Sequence, residues 1–327
     1  MARAITPSAS NGSLHAARAA KNDEFYTQLT DIEKELQHYR AHFKGKVVFC
    51  NCDDPEWSNF WKFFTLNFEH FGLKKVVATH YAPGAASYLL EVTGQNLEPV
   101  KTPLDGDGDF RSAECVEILK RCDIVVTNPP FSLFREYISQ LVEHGKKFLV
   151  LGNNNSVTYK EVFKLIRDNE IWLGYGVNKT LEFRLSPHYN KWSRVDKDGH
   201  KYGKVPAISW FTNLPHAKRN EELILFRTYA GHESLYPAYD NYDAIEVSRV
   251  ADIPQDYAGA MGVPITFLDK YNPEQFEILS ANDFRRSDSV PFKEHGLIKD
   301  KDGTIDGQAV YVRILVKRKT RAEQEQA

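Results

Sequence analysis

The chain has 327 residues, 42% of them hydrophobic and 26% charged, the profile of an ordinary globular protein of one large domain or slightly more. With 42 Lys and Arg against 44 Asp and Glu the net charge is −2, so no global basic field exists and any polyanion must be held by local patches. No apolar run reaches the roughly 18–20 residues of a membrane helix, and the N-terminal residues lack the apolar block of a secretory signal. Four cysteines are too few for a disulfide framework; they read as reduced thiols, which implies a cytoplasmic protein with no membrane partner.

Residues 1–22 carry Arg3, Arg18 and Lys21, no acid and few large apolar groups, so a flexible arm is expected there. Ile32, Leu36, Tyr39 and Phe43 then make one apolar helical face. Lys46–Cys50 reads as a buried strand. Asp54 is expected to cap a helix with Pro55 in its first turn, Trp57, Phe60, Trp61, Phe64, Phe68 and Phe71 on one face, and Gly72 at its end. Strands follow at Lys75–Ala78 and, more weakly, Leu97–Thr102; a helix begins at Ser112. Asp123–Thr127 is the clearest strand. A helix from Phe134 is stopped by Gly145, and Phe148–Leu151 is the next strand. This alternation predicts an α/β fold with a doubly wound, Rossmann-like parallel sheet, whose ligands sit beyond the carboxyl ends of the strands. Later strands are expected at Ala207–Thr212, Glu222–Thr228 and Ala309–Val316.

Directly after the clearest strand comes Asn128-Pro129-Pro130-Phe131. Two prolines fix φ and remove two donors, leaving rigid carbonyls. The Asn128 side-chain oxygen and the Pro129 carbonyl can then converge on one group with two hydrogens, such as an exocyclic amine. Phe131 offers a flat face for a base taken from its stack. The alternative is a stiff turn in which Asn128 caps a helix. Its place at the end of a central strand favours the amine reading.

Other motifs yield less. Asp105–Asp109 begins like a calcium loop, but Phe110 and Val116 occupy the places of the required Gly and Glu. Cys50, Cys52, Cys115 and Cys122 lack zinc spacing, so no metal is expected, and no Pro-Cys pair exists for cytosine C5 chemistry. Arg184–Lys204, with Tyr189 and Trp192, reads either as a phosphate-binding stretch or as a solvated loop. The run Arg313, Lys317, Arg318, Lys319 and Arg321 has the same two readings, and Trp210-Phe211 reads as core or as the wall of a base pocket.

Taken together, Asp23–Gln28, Val48–Pro55, Gly106–Ser112 and Asp123–Arg135 resemble, in chain order, the EcoRI-type adenine-specific DNA methyltransferases. The resemblance covers most of residues 22–235 and continues toward the C-terminus. It implies S-adenosyl-L-methionine as cofactor, double-stranded DNA as partner, and transfer to the N6 of a flipped adenine within a restriction-modification or phage-type system, with GAATTC as the site it offers. Tyr26 and Thr27 match the segment that packs on the methionine end of the cofactor. Asn51, Asp53, Asp54 and Pro55 match the cofactor loop, although Cys50–Asp54 contains no glycine. The second strand runs into Thr79-His80-Tyr81 with no terminal acid, so Asp53 or Asp54 is expected to supply the ribose carboxylate. Asp109 and Phe110 match the segment that reads the cofactor's adenine. Asn128, Pro129, Pro130 and Phe131 carry the target amine, with Asn128 also beside the cofactor. The expected organisation is an arm at 1–22, a catalytic domain at 23–235 and a DNA-recognition region at 236–327, working as a monomer. Two other classes remain open: a methyltransferase acting on an RNA base or a protein glutamine amide, and a DNA-binding module without catalysis.

Overall fold

Buried β-branched runs set the centre of the fold. The computed structural model describes residues 25–52, 54–94, 96–185, 192–279, 297–298 and 303–319. In chain order the elements are β1 (Phe25–Thr27), α1 (Leu29–Leu36), β2 (Val47–Cys50), α2 (Asn59–Leu66), α3 (Phe68–Phe71), β3 (Lys75–His80), β4 (Tyr88–Thr93), β5 (Asn96–Pro103), α4 (Ala113–Lys120), β6 (Ile124–Thr127), α5 (Phe134–Glu143), β7 (Lys147–Asn153), α6 (Lys160–Arg167), β8 (Trp172–Leu173), β9 (Lys179–Leu185), β10 (Arg194–Val195) and β11 (Lys201–Thr212). The flexible arm expected at 1–22 lies outside the described residues.

The large sheet runs β1-β9-β11-β7-β6-β2-β3-β4-β5. Its centre, β7-β6-β2-β3, is parallel, and every residue of β6 is buried, as strands covered on both faces must be. Both wings are antiparallel. The sheet is therefore mixed, not parallel throughout. The two residues between β4 and β5 can join only antiparallel strands. Much of β5 is exposed, which is why the apolar pattern gave it weakly and missed β4.

Local chemistry shifts several element ends. Ile32, Leu36, Tyr39 and Phe43 are all fully buried, but α1 stops at Leu36 and a short 3-10 turn carries the rest. The helix expected at Pro55 begins at Asn59. The Asp54 carbonyl accepts from the Trp57 and Ser58 N–H groups, closing a separate turn, and Ser58 Oγ caps α2 by accepting from Trp61 N at 3.3 Å. Trp57 thereby leaves the buried face and is 44% exposed. Gly72, at φ +60°, ends α3 as expected. Trp210 packs edge-on against Phe60, and Phe211 tilts against Phe134, so that pair is core.

The chain divides into two compact units. The first joins the described residues up to Asn154 with Gly176–Leu214. The second joins Asn155–Tyr175 with the described residues from Pro215 on, so the division falls elsewhere than the boundary expected at 235/236. In the second unit β12 (Ala244–Glu246), β13 (Ala260–Pro264), β18 (Arg313–Arg318) and β14 (Phe276–Ile278) form a sheet in that order, with β15 (Leu297–Ile298) also on β18. The remaining strands, β16 (Thr304–Ile305) and β17 (Gln308–Ala309), pair as a hairpin, so the strand expected over Ala309–Val316 is split. Glu222–Thr228 is no strand: Leu223 exchanges hydrogen bonds with the Gln275 side chain, and only Arg227 forms an isolated bridge. Among the described residues no helix is long and apolar enough to cross a membrane.

Arg313 does not face solvent. Its guanidinium donates to Glu246 at 2.6 and 2.8 Å, with the two side chains 12% and 5% exposed, and Tyr239 donates to the same carboxylate. Removing one partner of a buried pair strands the other charge. Arg313→Ala is expected to cost the second unit about 3 kcal/mol or more, read by chemical denaturation; a variant as stable as its parent would contradict this.

Candidate active site

Strand β6 delivers Asn128 to the carboxyl end of the parallel centre. The side chain is 5% exposed. Its Nδ2 donates to the Phe25 carbonyl at 2.5 Å, which fixes the amide's orientation. Oδ1 is then left buried with no partner among the described residues. Such an acceptor costs about 1–3 kcal/mol. Asn128 caps no helix: the 3-10 turn Phe131–Leu133 has Pro130 at its N-cap and no side-chain cap. Pro129 is buried, and the Pro130 carbonyl accepts from Leu133 N at 2.9 Å.

Phe131 was expected to present an open face. Its ring instead stacks on Phe25 at 5.9 Å and meets Phe183 edge-on at 6.5 Å, leaving it 8% exposed. It holds β1 against the Asn128 turn. Along β1 the strand period of two separates neighbours. Phe25 and Thr27 are buried, whereas Tyr26 faces the other way and pairs with Arg184 of β9. Tyr26 and Thr27 therefore serve opposite faces. Thr27 Oγ1 is buried and, among the described residues, unpartnered, while its carbonyl accepts from Asn59 Nδ2 at 2.7 Å.

The loop after β2 lies beside this turn. Asp53 falls outside the described residues. Cys52 takes φ +69°, the left-handed conformation that glycine commonly supplies, so the loop makes its turn without one. The Asn51 carbonyl accepts from Thr127 Oγ1, and its side-chain oxygen from Tyr137 of α5. In the sequence alone Tyr137 is indistinguishable from the other large residues of the helix that begins at Phe134. Full burial raises its hydroxyl well above the usual range, with Cys52 adding to this, so it remains a donor. The Phe110 ring meets Tyr137 edge-on at 5.0 Å, so this one phenol ties the end of β2 to the Asp109 turn, while Thr127 joins β6 to the same Asn51. Pro55 is buried.

Asp54 answers the missing acid of β3. Its Oδ2 lies 3.7 Å from His80 Nε2 at the end of that strand, while Oδ1 accepts from Glu56 N at 2.9 Å. His80 stacks on Tyr88 at 4.6 Å, and burial, followed by the charges of Asp54 and Glu56, lifts the Tyr88 hydroxyl to about 12. A carboxylate from the β2 loop thus reaches the strand that lacks one.

Gly108 explains the Asp-Gly-Asp-Gly-Asp run. It sits at φ +79°, and a Cβ there would lie 2.1 Å from the His80 carbonyl oxygen, so only glycine lets the turn approach β3. The turn presents Asp109, whose carboxylate accepts from Arg111 Nε and backbone N on Oδ1, and from the guanidinium on Oδ2 at 2.6 Å. The hydrogen bonds from the Arg111 side chain hold its pKa below the usual carboxylate range, against the opposing effect of burial. A carboxylate has about four lone-pair sites, so Oδ2 retains capacity for one more donor. Asn51, Asp54, Asp109, Phe110, Asn128 and β1 are thus linked within the first compact unit.

A family model described as "Adenine-specific methyltransferase EcoRI" matches residues 13–319. The chain is 47% identical to the Type II methyltransferase M.EcoRI of Escherichia coli, covering 95% of this chain and 98% of that protein. It is 44% identical to M.MpnI of Mycoplasma pneumoniae, with 93% and 97% covered, and 40% identical to M.MgeORF184P of Mycoplasma genitalium, with 92% and 97% covered. A match of this breadth leaves one assignment: the chain belongs to the EcoRI-type family of adenine-specific methyltransferases.

Proposed function

We propose that this adenine-specific methyltransferase modifies the N6 amine of an adenine flipped out of double-stranded DNA, with S-adenosyl-L-methionine as donor and GAATTC as the site to test first. The observation that carries the reading is the buried Asn128 Oδ1, without a partner among the described residues, beside a proline-stiffened carbonyl at the end of a central parallel strand. An adenine amine is a weak nucleophile because its lone pair is delocalised into the ring. Accepting its two hydrogens at Asn128 Oδ1 and the Pro129 carbonyl draws nitrogen toward tetrahedral geometry and raises its reactivity. Because Nδ2 is held by Phe25, the acceptor needs no reorganisation when charge develops. Phe131 keeps that geometry rigid, and Pro130 supports the turn.

The chain's residues fit the cofactor. Thr27 Oγ1 is a buried polar atom without a partner among the described residues, Asp109 Oδ2 can take an amine donor, Phe110 can supply an apolar wall, and Asp54, beside His80 at the end of β3, is the carboxylate we assign to the ribose. When bound, S-adenosylmethionine supplies an electrophilic methyl group on a good leaving group, so orientation and electrostatics are the protein's part. Base flipping exposes the amine to Asn128. The second unit, with β12–β18, is the segment to which we assign sequence reading.

Asn128→Ala is expected to lower turnover by about 3 kcal/mol or more in barrier while cofactor affinity holds. Labelled-methyl incorporation into duplex DNA, RNA and protein, run side by side, tests both activity and substrate class; more than a tenth of wild-type turnover in the variant would overturn the role of Asn128. Asp109→Ala should weaken cofactor binding in equilibrium dialysis, since the adenine amine loses its acceptor. Gly108→Ala should weaken it comparably, although it adds only a methyl group, because the turn must leave β3. Unchanged affinity in either variant would move the adenine contact elsewhere.

A further inference from the structure

The antiparallel wing holds a feature that transfer to the amine does not use. Register places Tyr26 of β1, Arg184 of β9 and Tyr202 of β11 in one row across three strands, on the face opposite Phe25 and Phe183. The Arg184 guanidinium lies 4.3 Å from the centre of the Trp57 ring, the residue expelled from α2 by the Asp54 turn. Lys62, one helical turn beyond Asn59 on α2, reaches the same place. These groups line a cavity of about 290 Å³, whose wall includes the first turn of α1. A neighbouring cavity of about 240 Å³ shares Tyr26, Trp57 and Arg184 and adds Lys201. Among the described residues no carboxylate lines either one, although Asp196 stands behind them, accepting from the Tyr202 hydroxyl at 3.1 Å and lying 3.0 Å from His200 Nδ1.

The cations here differ from those nearby. Arg194, on the next hairpin, is matched by Glu182 at 2.7 Å and stacks on Tyr202, so its charge is spent locally. Arg184 and Lys62 form no ion pair among the described residues. Two cations without an ion pair among the described residues, flat aromatic rings and no lining carboxylate among them make a surface for an anion joined to a planar ring. The continuity of the two cavities favours a chain of phosphates over a single carboxylate.

We propose that this trough seats the sugar–phosphate backbone of the DNA strand next to the target base, with phosphates on Arg184 and Lys62 and one nucleoside face against Trp57. The proposal rests on the DNA reading above. Tyr26 connects the two sites: its neighbour Phe25 holds Asn128, so a strand gripped in the trough is registered against the catalytic amide.

The test compares Arg184→Gln, Lys62→Gln and the double variant with wild type. Fluorescence polarisation with a short GAATTC duplex and a random duplex, over a salt series, gives affinity and salt slope; dialysis with labelled S-adenosylmethionine gives cofactor affinity. Each single variant should lose about tenfold in affinity for both duplexes and lower the slope by about one unit, the double by about two, with cofactor affinity within about twofold. Arg184→Lys should keep the slope, because the charge remains. A fall in cofactor affinity with DNA binding intact would overturn the proposal and assign the cavity to the cofactor's carboxylate. Wild-type values throughout would also overturn it and leave a solvent-filled trough. If both affinities fall at Arg184 and Arg184→Lys does not restore them, the exposed Lys62→Gln decides. Wild-type protein that fails to methylate DNA would instead sink the function itself, separately from the trough.

Discussion

The active-site geometry depends on one hydrogen bond, from Asn128 Nδ2 to the Phe25 carbonyl. An amide has a donor end and an acceptor end, so fixing one determines where the other points. With Nδ2 committed to β1, Oδ1 is held in a buried position without a partner among the described residues. An isolated fold would gain by satisfying that oxygen, and on the proposed function it is the acceptor for the substrate's amine. The stacking of Phe131 on Phe25 serves the same end by keeping β1 in reach of the turn.

A second constraint is the convergence of loops from separate strands. Thr127 and Tyr137 both bond to Asn51, which joins β6 and α5 to the end of β2. Tyr137 carries Phe110 on its ring edge, and Gly108 lets that turn approach the end of β3. The loops after β2, β3 and β6 and the Asp109 turn therefore form one hydrogen-bonded and packed unit. Cys52, not glycine, makes the left-handed turn in it. The strain of that turn is borne where the chain most needs a fixed shape.

The antiparallel wing adds a different kind of order. Strand period sorts its residues into an aromatic face that supports Asn128 and a cationic face that lines the trough. Basic residues that look equivalent in the sequence divide by partner: Arg194 is neutralised by Glu182 and Arg313 by Glu246, while Arg184 stacks on an exposed Trp57. Net charge therefore says little about where a polyanion is held.

The parallel centre was legible in the sequence, because β2, β3, β6 and β7 are buried on both faces and must be written as continuous apolar runs. Also legible were the family, since four motifs recur in order, and the place of the Asn128-Pro129-Pro130 turn directly after β6, since a turn of that kind is local. The sequence left open the antiparallel wings, whose half-exposed strands carry weak patterns, and it misjudged the start of α2, where Asp54 and Ser58 compete as caps. What required the folded chain was that Phe131 is packed and not open, that Asp54 stands at the end of β3, and that Tyr137 links the loop after β2 to the Asp109 turn. Each of these depends on contacts between residues far apart in the chain, and no window of sequence contains both partners.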